Sequence, residues 1–135
     1  MDANINYWTV LLAAMVYYAG GILWYSPLLF GKIWTSLIFS TEEQRREKQK
    51  RLWKLTISGF VTAFIMSYIL AVFIYYTDTD TYIQGMKAGF LCWLGFVVTT
   101  NFIYIILAKG SYKLFLIHSG YQLYGLLVMG VILAI

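Results

Sequence analysis

Residues 55–76 read LTISGFVTAFIMSYILAVFIYY, a run from Leu55 to Tyr76 without one Asp, Glu, Lys or Arg. Wound as an α-helix at ~1.5 Å rise per residue, such a run crosses a hydrocarbon core of ~30 Å. Three other segments share its character, and spans are expected at about 5–27, 54–76, 83–108 and 113–135. One apolar run alone would also fit a buried helix of a soluble protein. Four of them in 135 residues leave no polar element to cover them. The composition agrees, with 61% hydrophobic and only 12% charged residues, against about 25% charged in soluble domains. The expected fold class is all-α: one polytopic transmembrane domain, residues 1–135, built as a four-helix bundle.

Outward from the second span, the charges decide the orientation. Lys32, Arg45, Arg46, Lys48, Lys50, Arg51 and Lys54 lie between spans one and two, and Lys109 and Lys113 between spans three and four. Only Lys87 falls on the other side, one turn into span three, where Asp2, Asp78 and Asp80 also lie. Positively charged loops stay in the cytoplasm. Segments 31–53 and 109–113 are therefore expected inside, and both termini and the 2–3 loop outside, in a multi-pass protein of a bacterial inner (cytoplasmic) membrane. Tyr7, Trp8, Tyr75, Tyr76 and Tyr82 mark one span edge, and Trp34, Trp53 and Tyr112 the other. Met1-Asp2-Ala3-Asn4 carries no Lys or Arg, and the apolar run after it is too long for a signal peptide, so the first helix is expected to be retained.

Between the first two spans, Ser40 or Thr41 followed by Glu43 or Gln44 is a capping-box start. From there the chain is expected to run as helix into span two, while 31–39 is short and amphipathic and suits the inner surface. The basic residues Arg45, Arg46, Lys48, Lys50 and Arg51 read either as a solvated topology signal or as a contact for anionic lipid or a partner. The net charge of +4 points to no nucleic acid, because the basic residues crowd beside membrane segments without an RNA-binding motif. The single cysteine, Cys92, excludes an intrachain disulfide and a Cys/His zinc pattern. No cofactor and no metal are expected.

Helices associate in lipid through small residues at four-residue spacing. Gly59, Ala63, Ser67 and Ala71 form one stripe on span two, and Gly85 and Gly89 open span three, so both faces are expected to meet other helices. The halves also resemble each other: Ala19-Gly20-Gly21-Ile22-Leu23-Trp24 is similar to Ala88-Gly89-Phe90-Leu91-Cys92-Trp93, and Ser58-Gly59-Phe60 to Ser119-Gly120-Tyr121. This pattern fits a duplicated helical hairpin with parallel repeats.

Intramembrane polar groups are where function is sought first. No Asp, Glu, Lys or Arg lies mid-span, which argues against a proton-coupled exporter of the small four-span multidrug type. His118, about 7 Å deep by helical rise, and Asn101, about 10 Å deep, come to one level. Trp24, Tyr25, Ser26 and Tyr121 complete a candidate polar cluster at the inner half of the bundle. Pro27 should kink or end span one and free carbonyls near Leu23 and Trp24, which then need partners. The cluster reads either as hydrogen bonding that specifies packing or as a small cytoplasm-facing pocket or pore constriction. His118 has no acid nearby on its helix and no second imidazole, so triads, carboxylate pairs and metal sites are unsupported.

Gly21-Ile22-Leu23-Trp24-Tyr25-Ser26-Pro27-Leu28-Leu29-Phe30-Gly31-Lys32-Ile33-Trp34 resembles the signature of a bacterial membrane-protein family of unknown function, the domain-of-unknown-function family seventeen sixty-one. Gly89-Phe90-Leu91-Cys92-Trp93-Leu94-Gly95-Phe96 and Leu114-Phe115-Leu116-Ile117-His118-Ser119-Gly120-Tyr121 resemble its third- and fourth-span patterns. The resemblance implies a four-span inner-membrane protein and brings no substrate, reaction or cofactor. It also implies that Asn often stands where this chain has His118, which weakens a catalytic role for the imidazole.

The expected function is that of a non-enzymatic membrane protein, a small homo-oligomeric channel or transporter-like unit in contact with membrane lipids. Its small-molecule or ion ligand is not specified by the sequence. The alternatives are a structural or adaptor subunit docking through the basic helix, and a lipid- or quinone-directed enzyme using His118. The first reading expects Trp24, Tyr25, Ser26, Asn101 and His118 to line an oligomer axis or a hairpin interface.

Overall fold

The structure, a computed structural model, describes residues 5–38, 41–109 and 112–134. Four of its helices are long and apolar enough to cross a membrane, at Tyr7–Trp24, Thr56–Tyr76, Tyr82–Ile105 and Tyr112–Ala134. No strand occurs among the described residues.

Helix α1, Tyr7–Trp24, starts where the Asn6 side chain accepts from the Trp8 amide at 3.1 Å. It ends because Pro27 cannot donate and because Tyr25 leaves helical geometry. The freed carbonyls are satisfied locally. Ser26 donates to the Leu23 carbonyl through its amide (3.2 Å) and its hydroxyl (2.6 Å), and the Phe30 amide donates to the Trp24 carbonyl at 3.1 Å. The turn closes with the Gly31 amide on the Ser26 carbonyl at 2.9 Å, where a Cβ on Gly31 would collide with the carbonyls of Tyr25 and Ser26. Helix α2, Gly31–Ile38, follows directly.

Helix α3, Glu42–Lys50, begins with a full capping box: the Gln44 amide donates to Thr41 Oγ1 at 3.2 Å, and the Thr41 amide to Gln44 Oε1 at 3.4 Å. The helix does not continue into the second span as the sequence suggests. It stops at Arg51, whose backbone leaves helical geometry, and α4 spans Leu52–Tyr76. Lys48 Nζ of α3 lies 4.6 Å from the ring centroid of Trp34 on α2, a cation–π contact. Burial there pushes the Lys48 ammonium below its usual pKa.

Helix α4 ends in a Schellman turn. The Thr79 amide reaches the Ile74 carbonyl (3.2 Å) and the Asp78 amide the Tyr75 carbonyl (3.4 Å), with Asp78 in the left-handed region at φ 48°. The third span begins as α5, Tyr82–Cys92, capped by Thr81. It continues through a π-helical stretch Trp93–Val98, a short α6 at Thr99–Asn101, and a second π-helical stretch Phe102–Lys109. Helix α7, Tyr112–Ala134, completes the bundle.

The most extensive interfaces are α5 with α7 and α1 with α4, so each hairpin of the sequence packs on itself, and α7 also packs against α1 and α4. The core is built from Ala13, Ala14, Tyr17, Ala63, Leu70, Ile74, Leu126 and Met129. Outside this core the helices present Leu12, Ile22, Ile65, Leu91, Phe96 and Leu116. Exposed apolar side chains thus occur on all four of the helices whose length and hydropathy suit a membrane span.

Candidate functional site

The residues of the sequence-derived polar cluster fall into two groups, one joining α7 to α1 and the turn after it, the other joining α7 to the third long helix. On the α1 side, Trp24 Nε1 donates to the Ile117 carbonyl at 3.1 Å, and Tyr25 Oη shares a hydrogen bond of 3.1 Å with His118 Nδ1. Tyr121 Oη donates to the Tyr17 carbonyl at 2.7 Å. The Tyr121 ring lies 4.8 Å from Tyr17, 5.5 Å from Tyr25 and 6.3 Å from Trp24, centroid to centroid. Such tilted and edge-on pairs are favourable aromatic geometries. Ser26 belongs to the turn after α1, its hydroxyl bonded within that turn.

In the other group, Asn101 uses both amide protons. Its Nδ2 donates to Gln122 Oε1 at 2.7 Å and to Ser119 Oγ at 3.3 Å, while Trp93 Nε1 donates to the Ser119 carbonyl at 2.8 Å. Asn101 therefore pairs with Gln122 and Ser119 rather than with His118. It lies between the two π-helical stretches of the third span, and each π turn inserts backbone and re-aims the side chains beyond it. Trp24 and Trp93, matched residues of the two halves, both donate into α7, to carbonyls two residues apart and hence on opposite faces of the helix.

Gln122, Ser119, Trp93 and Tyr17 take part in this network without standing out as site residues in the sequence. The signals were present: Gln122 is a polar amide inside an apolar span, and Ser119 and Trp93 sit in the repeated motifs. Chemically, the α1-side group offers one imidazole whose partner is a phenol. Among the described residues, no three His, Cys, Asp or Glu side chains converge as metal ligands. The arrangement can orient helices and satisfy polar groups that would be costly to leave unpaired in lipid.

The helix-packing residues lie at two interfaces. Ala63, Ser67 and Ala71 are buried, Ser67 Oγ donates to the Val10 carbonyl at 2.8 Å, and Gly59 faces the Tyr18 ring, so the stripe lies against α1. Gly85 and Gly89 lie against α7, where a Cβ would strike the carbonyls of Gly130 and Leu126 respectively. The basic set divides: Arg45, Arg46, Lys50 and Arg51 are exposed, whereas Lys48 is half-buried on Trp34. Arg46 and Glu42 are 3.9 Å apart in an exposed pair, a contact of little energetic weight.

A feature not anticipated from sequence lies at the end of the bundle that carries the termini. There the start of α1, the end of α4 with its turn, and the end of α7 border an open depression of about 660 Å³. It is lined by Asn6, Thr9, Tyr75, Tyr76, Asp78 and Asp80, with Ala71, Ile74 and Leu133 behind them.

The model of a family described as "Protein of unknown function (DUF1761)" matches residues 8–134. The match takes in almost the whole chain, and the chain belongs to this family. No curated protein and no solved structure matches it.

Proposed function

We propose that this family member is a non-enzymatic, homo-oligomeric protein of the bacterial inner membrane, a channel or transporter-like unit whose working interface forms between copies along the third span. By the distribution of Lys and Arg, its termini lie outside and the segments 31–53 and 109–113 in the cytoplasm.

The observation that carries the reading is the one-sided packing of the third span. It meets α7 through Gly85 and Gly89, while its opposite face carries Gly95, where an added Cβ would meet nothing within 4 Å, and Thr99 one turn on. Gly95 and Thr99 have the spacing that lets helix backbones approach closely. Two shallow grooves of about 410 and 460 Å³ share Thr99 and Ile103, which gives a second copy a ridge and two recesses to pack against. The inner polar residues are engaged within the bundle, so a path between copies accounts for permeation better than one along the axis of a single chain.

The test places single cysteines at Gly95 and Thr99 in a Cys92→Ala background, oxidises the protein in lipid nanodiscs and in native membranes, and follows ion and solute flux in liposomes. Cross-linked dimers at these positions, absent for a cysteine at Ile22, are expected. A protein that remains monomeric in lipid and forms no cross-link at either position would overturn the proposal.

A second reading, an adaptor docking through its basic helix, has one observation in its favour. Every residue of α3 apart from Lys48 is exposed. Charge reversal at Arg45, Arg46 and Lys50 separates the two: an adaptor loses its partner, whereas a permeation unit keeps its flux.

A further inference from the structure

We infer that the segment between the first two spans is a built surface for anionic phospholipid of the surrounding bilayer, with an apolar wedge from the turn and α2 and a cationic face from α3. The inference rests on the four long helices lying in a membrane and needs no assembly between copies. It competes with the adaptor reading for the same basic helix.

Residues 28–54 carry seven Lys or Arg against three Glu, and the segment joins two spans, so its charge stands at the membrane surface. Basic clusters of this size beside a span attract anionic headgroups. Count alone is also what a topology signal would give, but the placement of the groups goes further. At ~100° per residue along α3, Glu42, Glu43, Arg46, Glu47 and Lys50 fall within an arc of about 140°. Arg45 and Lys48 lie on the opposite side, which therefore carries cations and no acid. Lys48 fixes how that side is turned: its Nζ lies 4.6 Å from the Trp34 ring, and Trp34 packs on Tyr25 at 4.9 Å between centroids. The basic side of α3 looks toward α2 and the end of α1, and the mixed side looks away.

The apolar part comes from the turn and α2. Leu28 is 84% exposed, and Leu29 and Ile33 are exposed as well. Helix α2 keeps Gly31, Trp34 and Thr35 against the protein and turns Lys32, Ile33 and Ser36 outward. Exposed Leu and Ile beside cations, at the end of a span, match the boundary between acyl chains and headgroups, where apolar side chains enter the hydrocarbon and Lys and Arg meet phosphate. The pairing recurs at the start of α4, where Trp53 is exposed and Lys54 Nζ lies 5.5 Å from its ring centroid, and tryptophan favours that depth. An acidic soluble protein would match the cations and leave Leu28, Leu29 and Ile33 in water. A neutral lipid would cover those side chains and leave the charge unmatched. An anionic phospholipid complements both parts.

The experiment uses the full chain with Cys92→Ala and Ser36→Cys, labelled with bimane on the outward side of α2 and reconstituted in phosphatidylcholine liposomes. Brominated phosphatidylglycerol or brominated phosphatidylcholine is added at equal mole fraction, and quenching of the label gives the relative association of the two lipids. At low salt phosphatidylglycerol is expected to associate about fivefold more strongly, the effect of one fully engaged basic residue. Screening in about 1 M NaCl should bring the two lipids close together. Two double variants then remove equal charge from opposite sides of one helix, and Gln keeps the helical preference of the residues it replaces. Arg45→Gln with Lys48→Gln should bring the preference close to one, whereas Arg46→Gln with Lys50→Gln should leave most of it. Equal quenching by the two lipids before these substitutions, a preference that survives high salt, or equal losses in the two double variants would each overturn the inference. The first of these would leave the basic helix to the adaptor reading. None of the outcomes bears on cross-linking at Gly95 and Thr99, so this inference and the homo-oligomer fail separately.

Discussion

Adding one methyl group to the third span should have opposite consequences at two of its glycines. At Gly85 an ideal Cβ would run into the Gly130 carbonyl oxygen and the Ala134 methyl. The first of these is backbone, which cannot rotate away, so α5 and α7 must separate. Restoring ordinary contact, ~3.5 Å between non-bonded atoms, requires a displacement on the order of 1 Å. Overpacking of this kind costs about 1–3 kcal/mol. The intrinsic helical preference for Ala over Gly, up to about 1 kcal/mol in water, offsets part of it. Gly85→Ala is therefore expected to destabilise the bundle by about 1–2 kcal/mol. At Gly95 a Cβ would meet nothing within 4 Å, and Gly95→Ala should leave the stability of the monomeric bundle unchanged or slightly raised. The assay follows from the chain's single cysteine: Cys92 is half-buried on the same span, so a thiol-reactive fluorophore reports its exposure as the detergent-solubilised protein is heated. A lower transition midpoint for Gly85→Ala and an unchanged or higher one for Gly95→Ala are expected. Equal shifts at the two positions would refute the packing of α5 on α7 through Gly85.

Three further perturbations probe the polar network and the cytoplasmic segment. Tyr25→Phe and His118→Leu should each cost about 0.6 kcal/mol, the average for an interhelical hydrogen bond in a membrane bundle, and their double-mutant cycle in the same thermal assay should show coupling. Asn101→Leu and Gln122→Leu are expected to couple with each other in the same way, while Asn101→Leu and His118→Leu should be additive, because their hydrogen bonds have no member in common. Thr41→Ala removes the capping box of α3 and should cost about 1 kcal/mol of local helix stability, seen as faster amide exchange over residues 42–46 with the thermal midpoint of the bundle unaltered.

Much of this architecture is visible in local patterns. Hydropathy over a window of helix length locates the four long helices, and the Thr41–Gln44 pair marks the start of α3. Pro27 marks the end of α1, and the carbonyls it frees are taken up within the turn by Ser26 and Phe30. The break at Arg51 carries no such signal. No Gly or Pro stands there, and the Lys48–Trp34 contact near it joins separate helices.

The candidate polar cluster shows the same division more sharply. Depth along a helix follows from counting residues, so Asn101 and His118 could be placed at one level from sequence. Rotation about the helix axis does not follow from counting. It is decided by where α5 and α7 touch, at Gly85 against Gly130 and Gly89 against Leu126, and by the π-helical turns on either side of Asn101. These bring Asn101 to Gln122 and Ser119, while His118, one turn before Gln122 on α7, pairs with Tyr25 of the first helical hairpin.

What the amino-acid sequence determined by itself is the set of four apolar helices and the distribution of charge at their ends, because length, hydropathy and capping are properties of contiguous residues. Only the tertiary structure decided which polar side chains pair and where an open depression lies. A hydrogen bond between helices, or a depression bordered by α1, α4 and α7, depends on the relative placement of segments as far apart in the chain as Thr9 and Leu133.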